Sequence, residues 1–154
     1  MDEKLFTSVQ IYTDGGCLGN PGPGAWAYLI IFPREKPPLS ASGGEEATTN
    51  NRMELTAVIR ALTAVSRGTF SGVELFTDSQ YVKNGIGSWI DRWLKNGWKT
   101  KEGKPVKNRD LWEELWGLQN QVRPRWHWVK GHGGNPHNEA CDALVQQEYA
   151  KYRK

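Results

Sequence analysis

Residues Ser8-Val9-Gln10-Ile11-Tyr12-Thr13-Asp14-Gly15-Gly16 decide the fold. Val9 and Ile11 fall on one face of an extended chain and Gln10 and Tyr12 on the other, the period-2 pattern of a strand that runs into Asp14-Gly15-Gly16. The arrangement returns at Val73–Phe76, a short strand closed by Thr77-Asp78-Ser79. Each of these two strands therefore ends on an aspartate.

Outward from the first strand, Gly19-Asn20-Pro21-Gly22-Pro23-Gly24 reads as a loop. Ala25–Phe32 is apolar enough to be a central strand, and Leu39–Gly43 is a candidate third, which gives an antiparallel meander. Leu55, Val58, Ile59 and Leu62 keep the spacing of a buried helical stripe, so a helix is predicted over 51–65, with capping residues in Thr48-Thr49-Asn50-Asn51. Helical pattern resumes after Ser79 and continues through Leu94. Lys95–Asn108 is polar, basic and broken by Gly97, Gly103 and Pro105, and is expected to be an exposed excursion. A helix over 110–121 follows, then a strand over Trp126–Val129 and a flexible loop at Gly131-His132-Gly133-Gly134-Asn135. Asn135-Pro136 has the form of a helix cap followed by Pro at the first helical position, opening a final helix to about Tyr152. This order predicts an α/β domain with a mixed five-stranded sheet and helices packed on it.

A chain of 154 residues without internal repeat or linker is expected to be one domain, 1–154. No apolar run approaches the roughly 20 residues that cross a bilayer, and Met1-Asp2-Glu3-Lys4-Leu5 lacks the regions of a signal peptide. A soluble, cytoplasmic monomer is expected, with no membrane contact and no obligate protein partner. Cys17 and Cys141 form neither a CxxC pair nor a disulfide framework. The net charge is only +3, but it is unevenly spread: Lys83–Arg109 carries +6 and the rest of the chain −3.

Four carboxylates sit where chemistry could use them: Asp14 and Asp78 at strand ends, Glu54 in the first turn of a helix, and Asp142 near the start of another. Each also has a structural explanation. Strand-end aspartates cap turns, Glu54 is spaced from Asn51 like a capping box, and Asp142 complements a helix dipole. If the four converge, their mutual repulsion needs a cation, and hard oxygen donors suit magnesium or manganese. Two such ions about 3.5–4 Å apart can serve an in-line phosphoryl transfer. His127, His132 and His137 recur every five residues, but a loop lies between them and a zinc site is not expected. His132, flanked by Gly131 and Gly133, is better placed as a mobile proton carrier, and His127 and His137 are expected to have no catalytic role.

Four longer motifs narrow this reading. Tyr12-Thr13-Asp14-Gly15-Gly16-Cys17-Leu18-Gly19-Asn20-Pro21-Gly22-Pro23-Gly24 closely resembles the first motif of type 1 ribonuclease H. Thr48-Thr49-Asn50-Asn51-Arg52-Met53-Glu54-Leu55 resembles the second and Thr77-Asp78-Ser79-Gln80-Tyr81-Val82 the third. Trp128-Val129-Lys130-Gly131-His132, with Asn138-Glu139 and Asp142, resembles the last. They keep the family's order and span residues 8–145.

The resemblance implies a ribonuclease H-like fold, with three antiparallel strands, then two parallel ones, and helices on both faces. It implies an endonuclease that hydrolyses the RNA strand of RNA–DNA hybrids, leaving 5′-phosphate and 3′-hydroxyl ends. Asp14, Glu54, Asp78 and Asp142 would be its metal-binding carboxylates for two magnesium or manganese ions, and His132 would assist proton transfer or product departure. Cys17, Asn20, Asn50 and Gln80 would line the minor groove of the hybrid, with Thr49 near a DNA phosphate. Amide and hydroxyl groups of this kind read 2′-hydroxyls and base edges without demanding a sequence.

The segment at about 89–109 resembles the basic handle of bacterial members, in which Trp89 would meet a sugar and Lys95 and Lys99 the DNA phosphates. As a bland alternative it is a solvated charged face with structural tryptophans, and Trp112, Trp116, Trp126 and Trp128 are expected in the core. Where several relatives carry a denser basic run after Trp93, this chain has Leu94-Lys95-Asn96-Gly97, which implies weaker or less salt-sensitive hybrid binding. About seven residues precede the first strand, so an N-terminal hybrid-binding domain is not expected. Two rivals stay open at this level, an exonuclease or transposase-like nuclease and a non-catalytic hybrid-binding module. Cleavage of end-blocked hybrids tests the first, and metal-dependent cleavage the second.

Overall fold

The computed structural model describes residues 8–33, 36–68, 70–130 and 135–152. Its strands are β1 (Val9–Cys17), β2 (Gly22–Ile31), β3 (Leu39–Thr48), β4 (Val73–Thr77) and β5 (Arg125–Trp128). Its helices are α1 (Asn50–Ser66), α2 (Gln80–Asn84), α3 (Ile90–Asn96), α4 (Arg109–Val122) and α5 (Pro136–Ala150). The strands form one mixed sheet in the order β3-β2-β1-β4-β5. β1–β2 and β2–β3 are antiparallel, whereas β1–β4 and β4–β5 are parallel. The mixed five-stranded architecture expected from the sequence is the one observed.

Alternation along the strands puts a core on each face of the sheet. Val9 and Ile11 of β1, Tyr28 and Ile30 of β2, and Val73 and Leu75 of β4 pack with Leu55, Val58, Ile59 and Leu62 of α1 and Trp112 and Leu115 of α4. Tyr12, Ala25 and Ala27 point the other way and pack with Cys141, Val145 and Tyr149 of α5. Burying each large aliphatic side chain of this kind contributes roughly 1.5–3 kcal/mol, which makes the α1 face the main source of stability. Of the tryptophans expected in the core, Trp112 is fully buried, while Trp116, Trp126 and Trp128 are partly buried and packed against it.

Four local features depart from the sequence reading. β1 does not stop at Thr13 but continues to Cys17, still paired with β2 from Asp14↔Ala27 to Cys17↔Gly24. β3 runs on through Gly43-Gly44-Glu45-Glu46 to Thr48, residues poor in strand propensity that are held by their pairing to β2. The helix expected from Ser79 through Leu94 is interrupted by a π-helical turn at Gly85–Trp89. Gly85 explains the position, because a Cβ there would lie 1.9 Å from the Trp112 ring, so the backbone passes directly over that indole. Finally, the excursion after Lys95 is not exposed throughout. Lys99 bridges Pro105, Val106 N–H donates to the Trp98 carbonyl at 3.0 Å, and both Trp98 and Val106 are buried.

Candidate active site

β1 and β4 run parallel in the register Tyr12↔Phe76, and β4 ends at Thr77. Asp14 therefore projects from a strand whose neighbour has just stopped, and Asp78 follows that stop directly. α1 brings Glu54 to the same place because Gly15 lets it approach: a Cβ on Gly15 would lie 2.5 Å from the backbone carbonyl of Met53. α5 supplies Asp142 from the other face. The four side chains line one cleft of about 250 Å³ together with Thr13, Asn135, Asn138, Glu139, Gln146 and Tyr149.

The structural explanations for these carboxylates do not hold. The N-cap of α1 is Thr49, whose hydroxyl accepts from Arg52 N–H at 3.2 Å, so Glu54 completes no capping box. Ser79, not Asp78, caps α2, with its hydroxyl accepting from Val82 N–H at 3.1 Å. α5 is capped by Asn135, and the acid of its first turn is Glu139, while Asp142 lies farther along the helix. Asp14 lies within a strand rather than in a turn.

The electrostatics follow from that geometry. Burial first, then the charges of Asp78 and Asp142 and last that of Glu54, push the Asp14 carboxyl from 3.8 up to about 7, against a hydrogen bond from the Gly15 backbone. Burial also raises Glu54, with help from Asp78, although the Ser79 hydroxyl donates to its Oε2 and pulls the other way. No Lys or Arg lines the cleft among the described residues. Nor do the side chains stand in a finished coordination sphere, since among the described residues no three His, Cys, Asp or Glu groups are close enough to hold a metal ion. The donor set nevertheless fits a hard divalent cation, its four carboxylates having amides around them and, among the described residues, no imidazole or thiol in the lining.

Cys17, Asn20, Thr49 and Asn50 come together beside the cleft. Cys17 Sγ donates to the carbonyls of Gly22 at 3.2 Å and Thr48 at 3.4 Å, and Asn50 N–H donates to Asn20 Oδ1 at 3.1 Å. Gln80 is exposed at the first position of α2. Trp89 packs edge-on to Tyr81, and Lys95 and Lys99 are exposed beyond it. His132 lies outside the described residues. His127 and His137 do not line the cleft, and they end a column of rings, His137–Tyr12–Phe76–His127, with centroids 4.6–4.8 Å apart. Cys141 sits behind Asp14, its thiol pushed up to about 12 by burial and then by the Asp14 charge, and it donates to the Tyr12 carbonyl at 3.4 Å.

The sequence reading did not assign Asn135, Asn138, Glu139, Gln146 or Tyr149 to the site. Their signal was present, because Asn138, Glu139, Gln146 and Tyr149 recur with Asp142 at helical spacing on one stripe of α5, and Asn135 is its N-cap.

A family model for RNase H matches residues 7–150. The chain is 49% identical to the ribonuclease H of Treponema denticola, across 94% of this chain and 98% of that protein. It is 53% identical to the ribonuclease H of Rhodopseudomonas palustris strain TIE-1, across 99% of this chain and 96% of that protein. The crystal structure of LC9-RNase H1, a type 1 RNase H with the type 2 active-site motif, is similar with a TM-score of 0.82 at 35% identity, covering 96% of this chain and 74% of that one. With fold, cleft and full-length similarity in agreement, the chain belongs to the ribonuclease H family, enzymes that cut the RNA strand of RNA–DNA hybrids.

Proposed function

We propose that cleavage is internal, occurs at the Asp14–Glu54–Asp78–Asp142 cleft and depends on two divalent ions, magnesium or manganese. The observation that carries this reading is the convergence of Asp14, Glu54, Asp78 and Asp142 from four elements on one cleft, with no Lys or Arg in its lining among the described residues; the raised Asp14 carboxyl follows from it. A pure binder of polyanions would gain nothing from concentrating negative charge there. Asp14 and Asp142 would hold one ion, and Asp14, Glu54 and Asp78 the other. Bound ions of this kind lower the pKa of water and offset charge on the leaving 3′ oxygen.

The chain's own residues do the rest. Asp14 would hold a cation in its deprotonated form, the positive charge offsetting the burial and the neighbouring charges that raise its carboxyl. The Ser79 hydroxyl restrains one oxygen of Glu54, which lines the cleft. Cys17, Asn20, Asn50 and Gln80 meet the minor groove, with hydrogen-bonding groups that distinguish a ribose from a deoxyribose. Thr49 faces a DNA phosphate, Trp89 a sugar, and Lys95 and Lys99 add phosphate contacts that position the duplex without reading it. His132 carries a proton to or from the reacting oxygens. The products keep 5′-phosphate and 3′-hydroxyl ends, and the enzyme acts as a cytoplasmic monomer.

A labelled-strand assay tests this reading. With magnesium, the RNA strand of an end-blocked hybrid is cut internally, while double-stranded RNA and DNA are left intact and chelator stops the reaction. Cleavage that survives chelation, or that requires a free end, would overturn it.

A further inference from the structure

Tyr12 is the residue at which three parts of the cleft meet. Its ring stacks on Phe76 of β4, with centroids 4.7 Å apart and planes 9° from parallel, and it also meets the His137 ring of α5 at 4.8 Å, tilted by 43°. Its backbone carbonyl accepts from the Cys141 thiol of α5 at 3.4 Å. Asp14 follows Tyr12 by two residues, Asp78 follows Phe76 by two, and Asp142 directly follows Cys141. The far end of the column is held as well, because Phe76 stacks on His127 at 4.6 Å and His127 is hydrogen-bonded to Glu74 at 2.8 Å.

Glu54 reaches the cleft on a helix packed along the main core, whereas Asp142 depends on how α5 sits on the other face. His137, Cys141 and Val145 step along α5 four residues at a time, so they share one side of the helix. Cys141 and Val145 are buried with Tyr12, Ala25 and Ala27, and farther along Glu148 accepts from the Ser42 hydroxyl at 2.9 Å. These contacts hold α5 from Cys141 onward. His137 carries the seat one turn farther toward the N-terminus, so that Asp142 is held from both directions. Asn135 Oδ1 accepts from the His137 backbone N–H at 2.9 Å, a bond within the helix end that does not register it on the sheet. Side chains reach about 5–6 Å from a helix axis, so a turn of about 10° moves a carboxylate by about 1 Å. Metal–ligand distances tolerate only about 0.2 Å.

We infer that His137 is a positioning residue for the carboxylate cleft, its ring seated on Tyr12 so that the first turns of α5 hold Asp142 in place with Asp14. This rests on the proposal that the cleft takes divalent ions. The contact is between rings, so phenylalanine should supply it, and glutamine, of similar reach but without a ring, should not.

The experiment compares His137→Gln, His137→Ala and His137→Phe with the parent in two magnesium titrations, one of the melting temperature without nucleic acid and one of hybrid cleavage, with KM for the hybrid read at saturating magnesium. In both titrations His137→Gln and His137→Ala are expected to raise the magnesium concentration at half-saturation about fivefold, short of the roughly tenfold or more lost with a group bonded directly to a metal ligand. His137→Phe is expected to restore the parent's midpoint, and KM for the hybrid stays as in the parent throughout. A loss of packing alone would lower the melting temperature equally at every magnesium concentration and leave the midpoint in place. A folded His137→Gln with the parent's midpoint, or a midpoint that His137→Phe does not restore, would overturn the inference while leaving the cleft reading intact. Failure of both the glutamine and alanine variants to fold would assign His137 to the fold as a whole and overturn it equally. A parent whose melting temperature does not rise with magnesium would remove the cleft reading instead.

Discussion

Glu74 lies within β4 and Asp78 directly after it, yet the protein surrounds them differently. Burial pushes Glu74 up, but hydrogen bonds from His127 Nε2 at 2.8 Å and Arg125 Nε at 2.7 Å, with the charge on both, outweigh it and hold the carboxyl below its ordinary value. Asp110 is likewise lowered, first by its bond from Arg52, and Glu148 by its bond from Lys151. In the cleft the direction reverses, and Asp14 and Glu54 are raised, with no basic side chain in the lining among the described residues. Carboxylates that hold the fold together come with cations built into the chain. Those of the cleft are left to take theirs from outside.

The strongest way to break this contrast is to remove a charge on the cleft side. Asp14→Asn and Asp78→Asn are each expected to reduce cleavage by at least about a thousandfold while circular dichroism shows a native fold, because electrostatic stabilisation carries most of the barrier reduction. Substantial turnover by either purified variant would contradict the site. His132→Ala comes next, with a slowing of about a hundredfold and measurable residual cleavage, the usual scale for a lost proton carrier.

The smallest effect is on stability and has opposite signs for the two groups. Without divalent ions, the raised Asp14 contributes stability that is fully present below its unfolded value near 3.8 and lost as pH climbs through about 7. Melting curves in chelator should therefore show the parent losing about 1–3 kcal/mol between pH 4 and 8, discounted for solvent in the cleft, and Asp14→Asn losing less. The lowered Glu74 contributes stability above its ordinary 4.5 that is lost as pH falls through its folded value, and Glu74→Gln should remove a few tenths of a kcal/mol of that acid-side loss. Slopes of the same sign for both variants would dissolve the distinction.

Much of the frame was legible because it is periodic. Val9 and Ile11 fixed the inward face of β1, Leu55 through Leu62 fixed α1, and Asn135-Pro136 marked the start of α5, all local signals that tertiary contacts reinforce. What the pattern hid depends on distant partners. The π-helical turn follows from Gly85 lying over Trp112, and the late part of β3 from pairing with β2. Trp98 and Val106 are buried within a segment whose composition reads as solvent-exposed. The carboxylates could be named from their motifs, but that they are not caps follows only from the folded chain, where Thr49, Ser79 and Asn135 fill that role. The contact between His137 and Tyr12 joins residues far apart in sequence and leaves no periodic trace.

The claim that the cleft awaits an external cation is tested most directly by melting the protein at pH 8 with increasing magnesium, in the absence of nucleic acid. A ligand that binds only the folded state raises the melting temperature with its concentration. The account predicts a saturable rise of several degrees for the parent that is largely lost in Asp14→Asn, whose melting temperature without metal is already higher than the parent's. An equal rise in both proteins, or none in the parent up to tens of millimolar magnesium, would contradict it.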